Sequence, residues 1–393
     1  MNESSKHLIK RYFELGFNNR EILSVLAQKH RIVISISTLK RVLKTLGLFR
    51  RKEYSDIVDV ALFITEQQQS AGVLQGYRWM HLKCVQAGFN IPRDTVGELM
   101  RVLDPASHES RLRRKLKRRI YCSPGPNFVW HVDSYDKLKP YGIAINGCMN
   151  GYSRYVVWLE ASTTNSDPRV IASYYTTAIK TLGGCPRRLR TDLGTENSSI
   201  KTVQLFLRRH HGDMYAGDKS YITGASTHNQ RIEWFWDILR KHMAQFYMIL
   251  FNDLLSCHGN DLFCGDFLDK NLIQFCFMNI VQENLNNVRD EWNTHILQSK
   301  RDGSGGGRRP ILLYTAPSIF GANDYLCATD DNEIKVCSEQ TIPKLTFCAD
   351  ETVLELSTLY MDEHGILGPT NVAEANDLYI HLRQSIRDQL VLI

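Results

Sequence analysis

At 393 residues, with 43% apolar and 23% charged side chains, the chain has a globular composition and is too long for one ordinary core, so two to four domains are expected. No stretch approaches the roughly eighteen uninterrupted apolar residues of a membrane span, and the polar start Met1-Asn2-Glu3-Ser4-Ser5-Lys6 is no signal peptide, so a soluble intracellular protein without a membrane partner is expected. The net charge of +6 hides an asymmetry: residues 1–120 hold 23 Lys and Arg against 11 Asp and Glu, a balance of +12, and the remainder holds 25 against 31, a balance of −6. A basic front beside an acidic remainder points to a polyanionic partner, with nucleic acid the leading choice.

Residues 6–48 read as a compact helical unit. Leu8, Ile9, Tyr12 and Phe13 share one helical face, Asn18-Asn19-Arg20-Glu21 opens a second helix, and Ser35-Ile36-Ser37-Thr38 opens a third that carries Lys40, Arg41 and Lys44. That order is a helix-turn-helix signature, and a hydroxyl-rich helix start with three cations suits DNA. The bland alternative is a three-helix packing module with a solvated basic face. The expected first domain is 1–52. A second helical unit over 53–110 contains Gly76-Tyr77-Arg78-Trp79 and Ile91-Pro92-Arg93-Asp94, and in 111–120 Arg111, Arg113, Arg114, Lys115, Lys117, Arg118 and Arg119 place seven cations in nine residues. Such a run serves as a solvated linker, an import signal or a tract that follows phosphates.

From Tyr121 the periodicity changes. Phe128–Tyr135, Tyr141–Cys148 and Arg154–Ala161 read as three consecutive antiparallel strands. Asp167-Pro168 starts a helix that reaches Leu182 and stops at Gly183-Gly184. Leu189–Thr191 is a fourth strand, Ser198–Arg209 a helix, Gly212–Gly224 a loop, and His228–Leu250 a long helix. Leu272–Ile296 adds one or two more helices, closing a domain of 121–298. Residues 299–310, rich in glycine, are a linker, and 311–393 are a small C-terminal domain of short β-like runs with a final helix from Val372 to Ile386.

Ten cysteines lie scattered without a Cys-x-x-Cys pair, which argues against a dense disulfide framework and against a ribbon-type zinc site. His210-His211 with Cys257 and Cys264 fits no zinc module. No Gly-x-Ser-x-Gly elbow and no P-loop is present.

Three acids stand out, because each interrupts an apolar element: Asp133 in Phe128-Val129-Trp130-His131-Val132-Asp133, Asp192 in Leu189-Arg190-Thr191-Asp192-Leu193-Gly194, and Glu233 in Asn229-Gln230-Arg231-Ile232-Glu233-Trp234. Ionised carboxylates are rarely buried without a partner, so one on each of three core-like segments suggests a shared cation. Two carboxylates about 4 Å apart repel by about 4 kcal/mol at an effective dielectric near 20, which a pair of hard divalent ions removes. Neighbouring residues read more plainly: Asp136, Glu196 and Asp237 as exposed or supporting acids, Trp234, Phe235 and Trp236 as core, His131 and His228 as structural histidines.

In order and placement, these motifs resemble those of the retroviral integrase and DDE transposase superfamily: Trp130-His131-Val132-Asp133 its first-strand motif, Thr191-Asp192-Leu193-Gly194-Thr195-Glu196-Asn197 its fourth-strand motif, and Asn229-Gln230-Arg231-Ile232-Glu233 its helical motif. The resemblance covers about residues 121–250. It implies an α/β, ribonuclease H-like catalytic core, a mixed five-stranded sheet with flanking helices, preceded by all-α helix-turn-helix units and followed by a small C-terminal domain. It implies that Asp133, Asp192 and Glu233 are catalytic and hold two Mg²⁺ or Mn²⁺ ions, and that Arg240, seven residues after Glu233, and Lys241 hold DNA phosphate. It further implies a transposon-derived polynucleotidyl transferase that cleaves DNA ends and joins them to a target by in-line displacement, acting on double-stranded DNA as a homo-oligomer, in the nucleus of a eukaryote or otherwise in the cytoplasm. Forty residues separate Asp192 from Glu233, more than is usual in the family, and the excess is assigned to the Gly212–Gly224 loop. The family's amino-terminal His-His-Cys-Cys motif is replaced by the helical units. The rivals are a domesticated DNA-binding protein without recombinase activity and a nuclease that cleaves without joining.

Overall fold

The structure of the chain, a computed structural model, describes residues 3–69, 75–104, 121–225, 229–256, 262–297, 308–344 and 350–391. The basic run Arg111–Arg119, the Gly-rich residues 299–307, His228 and Cys257 lie outside the described residues. Two compact units divide the chain, each assembled from separated stretches: Met1–Phe128 with Gly151–Tyr155 and Asp290–Tyr325, and Val129–Asn150 with Val156–Arg289 and Leu326–Ile393.

The first unit is helical. α1 (Glu3–Glu14), α2 (Asn19–His30) and α3 (Ile36–Thr45) enclose Ile9, Tyr12, Phe17, Ile22, Val25, Leu26, Leu39 and Leu43. The Asn18 side chain accepts from the Glu21 amide at 3.0 Å while the Glu21 carboxylate accepts from the Asn18 amide at 2.7 Å, a reciprocal cap that starts α2. Ser35 caps α3 by accepting from the Thr38 amide at 3.1 Å. Lys40, Arg41 and Lys44 project from α3 into solvent. α4 (Ile57–Gln69), α5 (Tyr77–Gln86) and α6 (Arg93–Leu103) form a second cluster around Val60, Ile64, Met80, Cys84, Ile91, Val96 and Met100.

Arg309, expected in a linker, is instead a buried residue of this unit, immediately before a short helix over Pro310–Thr315. Its Nε donates to Glu21 at 3.0 Å, its Nη2 donates to the Gly16 carbonyl at 2.5 Å, its Nη1 reaches the Thr294 carbonyl, and its plane lies 4.8 Å from the Phe17 ring centroid. A guanidinium so enclosed is tolerable only because each donor edge finds an acceptor.

The second unit is built on a five-stranded sheet in the order β3-β2-β1-β4-β5, with β1 (Val129–Tyr135), β2 (Ala144–Asn150), β3 (Val156–Ser162), β4 (Arg188–Thr191) and β5 (Tyr221–Thr223). β1 pairs antiparallel with β2 and β2 with β3, whereas β4 runs parallel to β1 and β5 parallel to β4. The antiparallel pairs need only short turns; the parallel pairs need crossovers. α7 (Pro168–Leu182) supplies the crossover between β3 and β4, capped by the Asp167 carboxylate, opened by Pro168 and stopped by Gly183 in the left-handed conformation. α8 (Ser198–Arg208) lies between β4 and β5. Trp130, Val132, Trp158 and Leu189 from the sheet pack with Val170, Ile171, Tyr175 and Ile179 of α7 and with Ile200, Val203 and Leu207 of α8. Among the described residues no helix is long and apolar enough to cross a membrane.

Three expectations are corrected. The fifth strand, Tyr221–Thr223, lies inside the stretch read as the Gly212–Gly224 loop; at three residues it is too short to show an alternation. The long helix read over His228–Leu250 is α9 (Gln230–Leu239), a π-helical turn over Arg240–Ala244 and α10 (Gln245–Ser256). The turn carries three consecutive buried residues, His242, Met243 and Ala244. The β-like runs expected after residue 311 are mostly helices, over Asp331–Glu339, Glu351–His364 and Val372–Val391, the first two begun by Asp330 and Asp350, which accept from the amides of Asn332 and Val353. Among the described residues of that stretch, only Cys327–Ala328 forms a strand, pairing with Gly184–Cys185.

Two stability measurements follow from the first unit. Arg309→Ala leaves Glu21 buried without its cation and is expected to lower the unfolding free energy by about 3–5 kcal/mol in urea titrations; a loss below about 1 kcal/mol contradicts the packing described. His295 is enclosed, its Nδ1 donating to the Trp292 carbonyl at 2.6 Å, and burial, together with the Arg309 and Arg154 cations, lowers its pKa to about 4. The unfolded chain takes up this proton below about pH 6.5 and the folded chain does not until about pH 4, so stability is full above 6.5 and falls across that window. Between pH 7 and 4.5, wild type should lose roughly 2–3 kcal/mol more than His295→Gln, and equal losses would rule out a buried neutral imidazole.

Candidate active site

Alternation along β1 separates two jobs. Trp130 and Val132 enter the apolar core, so His131, Asp133 and Tyr135 take the opposite face of the sheet. α9 covers that face. Asn229, just before α9, donates from Nδ2 to the Val132 carbonyl at 2.8 Å. Its carboxamide orientation is thereby fixed, and Oδ1 accepts from His131 Nδ1 at 2.7 Å. Nearly two turns further on, Trp236 donates from Nε1 to Asp133 Oδ2 at 2.8 Å and lies 5.4 Å from the Tyr135 ring. Between these two anchors stands Glu233.

Asp133 is therefore half-enclosed under an indole. Burial pushes its carboxyl up to about 7; the Trp236 bond opposes that rise, and the negative charges of Glu233 and Asp192 add to it. Asp192 follows β4 directly. Its Oδ1 accepts from both the Gly194 amide, at 3.1 Å, and Asn197 Nδ2, at 2.7 Å, and among the described residues no hydrogen bond reaches Oδ2. Thr191 closes the turn by donating to the Asp192 carbonyl at 2.8 Å, and its hydroxyl lies 2.7 Å from that of Tyr221. Glu233 has no hydrogen-bond or ion-pair partner for its carboxylate among the described residues, and its pKa is raised by burial first, then by the charges of Asp192 and Asp237.

The three acids thus share one region and repel one another, but they do not close on a point: among the described residues no three His, Cys, Asp or Glu side chains stand as a ready-made metal cage. The donor chemistry fits a hard divalent cation, because all three are carboxylates, Asp192 Oδ2 is uncommitted and Glu233 lacks a partner.

The neighbouring acids have other employment. Asp136 accepts from Asn165 Nδ2 at 2.5 Å and pairs with Lys139 at 3.6 Å. Glu196 folds over Gly194, where a Cβ would meet its Oε1 at 2.0 Å. Asp237 is exposed. His131 is fully buried, with burial lowering its pKa to about 3, and acts as a structural group. Phe235 and Trp236 are core, and Trp236 is also a donor that sequence reasoning missed, although a buried indole always needs an acceptor. Asn197 and Asn229 were missed as well; neither carries a signal beyond its nearness in sequence to an acid. Arg240 and Lys241 are exposed at the start of the π-helical turn, Arg240 donating to Gln245 Oε1 at 2.9 Å and close enough to Tyr135 for its charge to oppose the rise that burial gives that phenol. His211 Nε2 lies 3.1 Å from the Ala328 carbonyl.

The family described as Integrase core domain matches residues 120–319 of this chain, about half its length, and the match spans all three acids. No curated protein shows significant similarity to the chain.

Asn229→Ala orphans a buried His131 N–H and the Val132 carbonyl together, so a loss of about 2–4 kcal/mol in unfolding free energy is expected, against under about 1 kcal/mol for an exposed substitution such as Lys180→Ala. Equal stabilities would show that α9 is held to β1 by other means.

Proposed function

Because the chain belongs to the integrase core domain family and carries its ribonuclease H-like sheet, we propose that it is a DNA integrase or transposase, a polynucleotidyl transferase that cleaves DNA ends and transfers them to a target strand. The observation that carries this reading is the meeting of Asp133, Asp192 and Glu233 in one region, where burial and neighbouring acid charges raise the pKa of both Asp133 and Glu233.

Asp133, Asp192 and Glu233 would hold two Mg²⁺ or Mn²⁺ ions, which when bound supply activation of the attacking oxygen and stabilisation of the leaving oxygen at phosphorus. The chain's own residues do the rest. Asn197 and the Gly194 amide hold Asp192 by Oδ1, so that Oδ2 keeps one direction. Trp236 does the same for Asp133 through Oδ2. Arg240 and Lys241, exposed beyond Glu233, would grip phosphate as planar and point cations respectively. Lys40, Arg41 and Lys44 on α3, with Arg113, Arg114, Lys115, Lys117, Arg118 and Arg119, would bind duplex DNA, whose affinity should fall steeply with salt. Paired DNA ends call for at least a dimer. One observation favours a second reading, DNA binding without chemistry: the three carboxylates do not converge on a point as they stand.

Strand-transfer and cleavage assays on duplex DNA with Mg²⁺ or Mn²⁺ separate the readings. Wild type should yield joined products, and Asp192→Asn should reduce them by roughly a thousandfold, the rate equivalent of the several kcal/mol that a bound ion contributes. Full activity in Asp192→Asn would eliminate the site. Binding without products would favour the second reading, and nicks without joints a simple nuclease.

A further inference from the structure

Trp236 combines three features that a core aromatic does not need. Its N–H is spent on a carboxylate, at 2.8 Å from Asp133 Oδ2, rather than on a backbone carbonyl. It lies three residues after Glu233 on α9, so indole and carboxylate leave the helix on neighbouring positions of one face. And the strand beneath it has been cleared: Gly147 is the residue paired with Asp133 across β1 and β2, and a Cβ there would lie 2.8 Å from the Trp236 ring at Cη2. Gly147 has no left-handed backbone to explain it. The absent side chain makes room for the indole to lie over β2 and reach Asp133.

We propose that Trp236 is a positioning residue for the metal-binding site, that its indole N–H fixes which oxygen of Asp133 is left to face a divalent cation, and that Gly147 is glycine to admit it. This rests on the reading of Asp133 and Glu233 as metal-holding residues. One side chain then sets two distances at once, because the same helix face carries Glu233: Trp236 ties α9 to Asp133 and so ties the two carboxylates to each other. Removing the N–H while keeping an aromatic ring should loosen cation binding in a chain that still folds, since a hydrogen-bond partner of a metal-holding group governs its orientation and basicity.

The test is Mn²⁺ binding to the full chain by calorimetry, with thermal unfolding of each variant alongside. Trp236→Phe keeps an aromatic ring beside Tyr135; it should fold with a melting temperature lowered by a few degrees for the lost N–H bond and ring volume, and should bind Mn²⁺ about tenfold or more weakly. Gly147→Ala, which displaces the indole, should lose affinity similarly. The chain has six tryptophans, and the indole N–H resonance absent from Trp236→Phe is thereby assigned in wild type; that resonance should move on addition of Mg²⁺. Unchanged Mn²⁺ affinity in Trp236→Phe, or a resonance that ignores Mg²⁺ while wild type binds Mn²⁺, overturns the positioning role and leaves the three acids standing. Failure of wild type to bind Mn²⁺ at all removes the metal site and this role with it.

Discussion

Helix α9 is fastened to β1 at two points, Asn229 at its start and Trp236 near its end, and Glu233 rides between them. Both anchors bond to atoms on or beside the strand that carries Asp133, and both are buried, where a hydrogen bond left unmade costs more than one made gains. The separation of Asp133 and Glu233 is therefore set by one helix–strand seam. Asp192 is placed by different means, a turn at the end of β4 held by Asn197 and the Gly194 amide. Because β4 runs parallel to β1 and pairs with it directly, the two placements share one rigid sheet. A site assembled this way depends on strand order more than on loop conformation, which suits chemistry that needs its ligands within a fraction of an ångström.

The same geometry concentrates negative charge where solvent cannot fully screen it. Burial raises the pKa of Asp133 and Glu233, and the neighbouring acids raise both further. A fold that wanted only stability would put an apolar group at each position, since burying like charges without compensation is unfavourable. Arg240, the first exposed cation after Glu233, does not offset that charge by a bond of its own, since it donates to Gln245 instead.

What the sequence made legible was whatever obeyed a strong local rule. β1 to β3 were short β-rich segments separated by turn residues, α7 carried its cap, its proline and its terminal glycine, and the three acids stood out as charges within apolar runs. β5 failed because three residues cannot display a period, and its partner choice, Leu189 with Tyr221, is set by tertiary pairing. The π-helical turn failed because apolar spacing over 232–254 still looks helical; only the burial of three residues in succession betrays it. Trp236 was read as core, which it is, but the destination of its N–H depends on a glycine 89 positions earlier, and no local rule links the two. Arg309 was read by composition as part of a polar glycine-rich stretch, whereas its carbonyl and carboxylate partners come from residues 16, 21 and 294.

The least legible stretch, beyond residue 326, turns out to be part of the unit that holds the sheet. Ile334 and Cys337 join the core beside Tyr175 and Ile179, and Arg209 pairs with Glu333 at 2.5 Å. Lys344 donates to Gln282 Oε1 at 2.8 Å and pairs with Glu160 on β3. Further on, Asp269 is fully buried near the start of the helix Phe267–Thr294, and its Oδ1 accepts from Arg383 at 2.7 Å and from Arg387 at 3.2 Å. Without the last helix that buried carboxylate would lose both its cationic partners, which is costly. The final segment is thus a structural partner of the five-stranded sheet, chosen by charge and core complementarity over long sequence separations, and that is the kind of contact a reading of local patterns cannot anticipate.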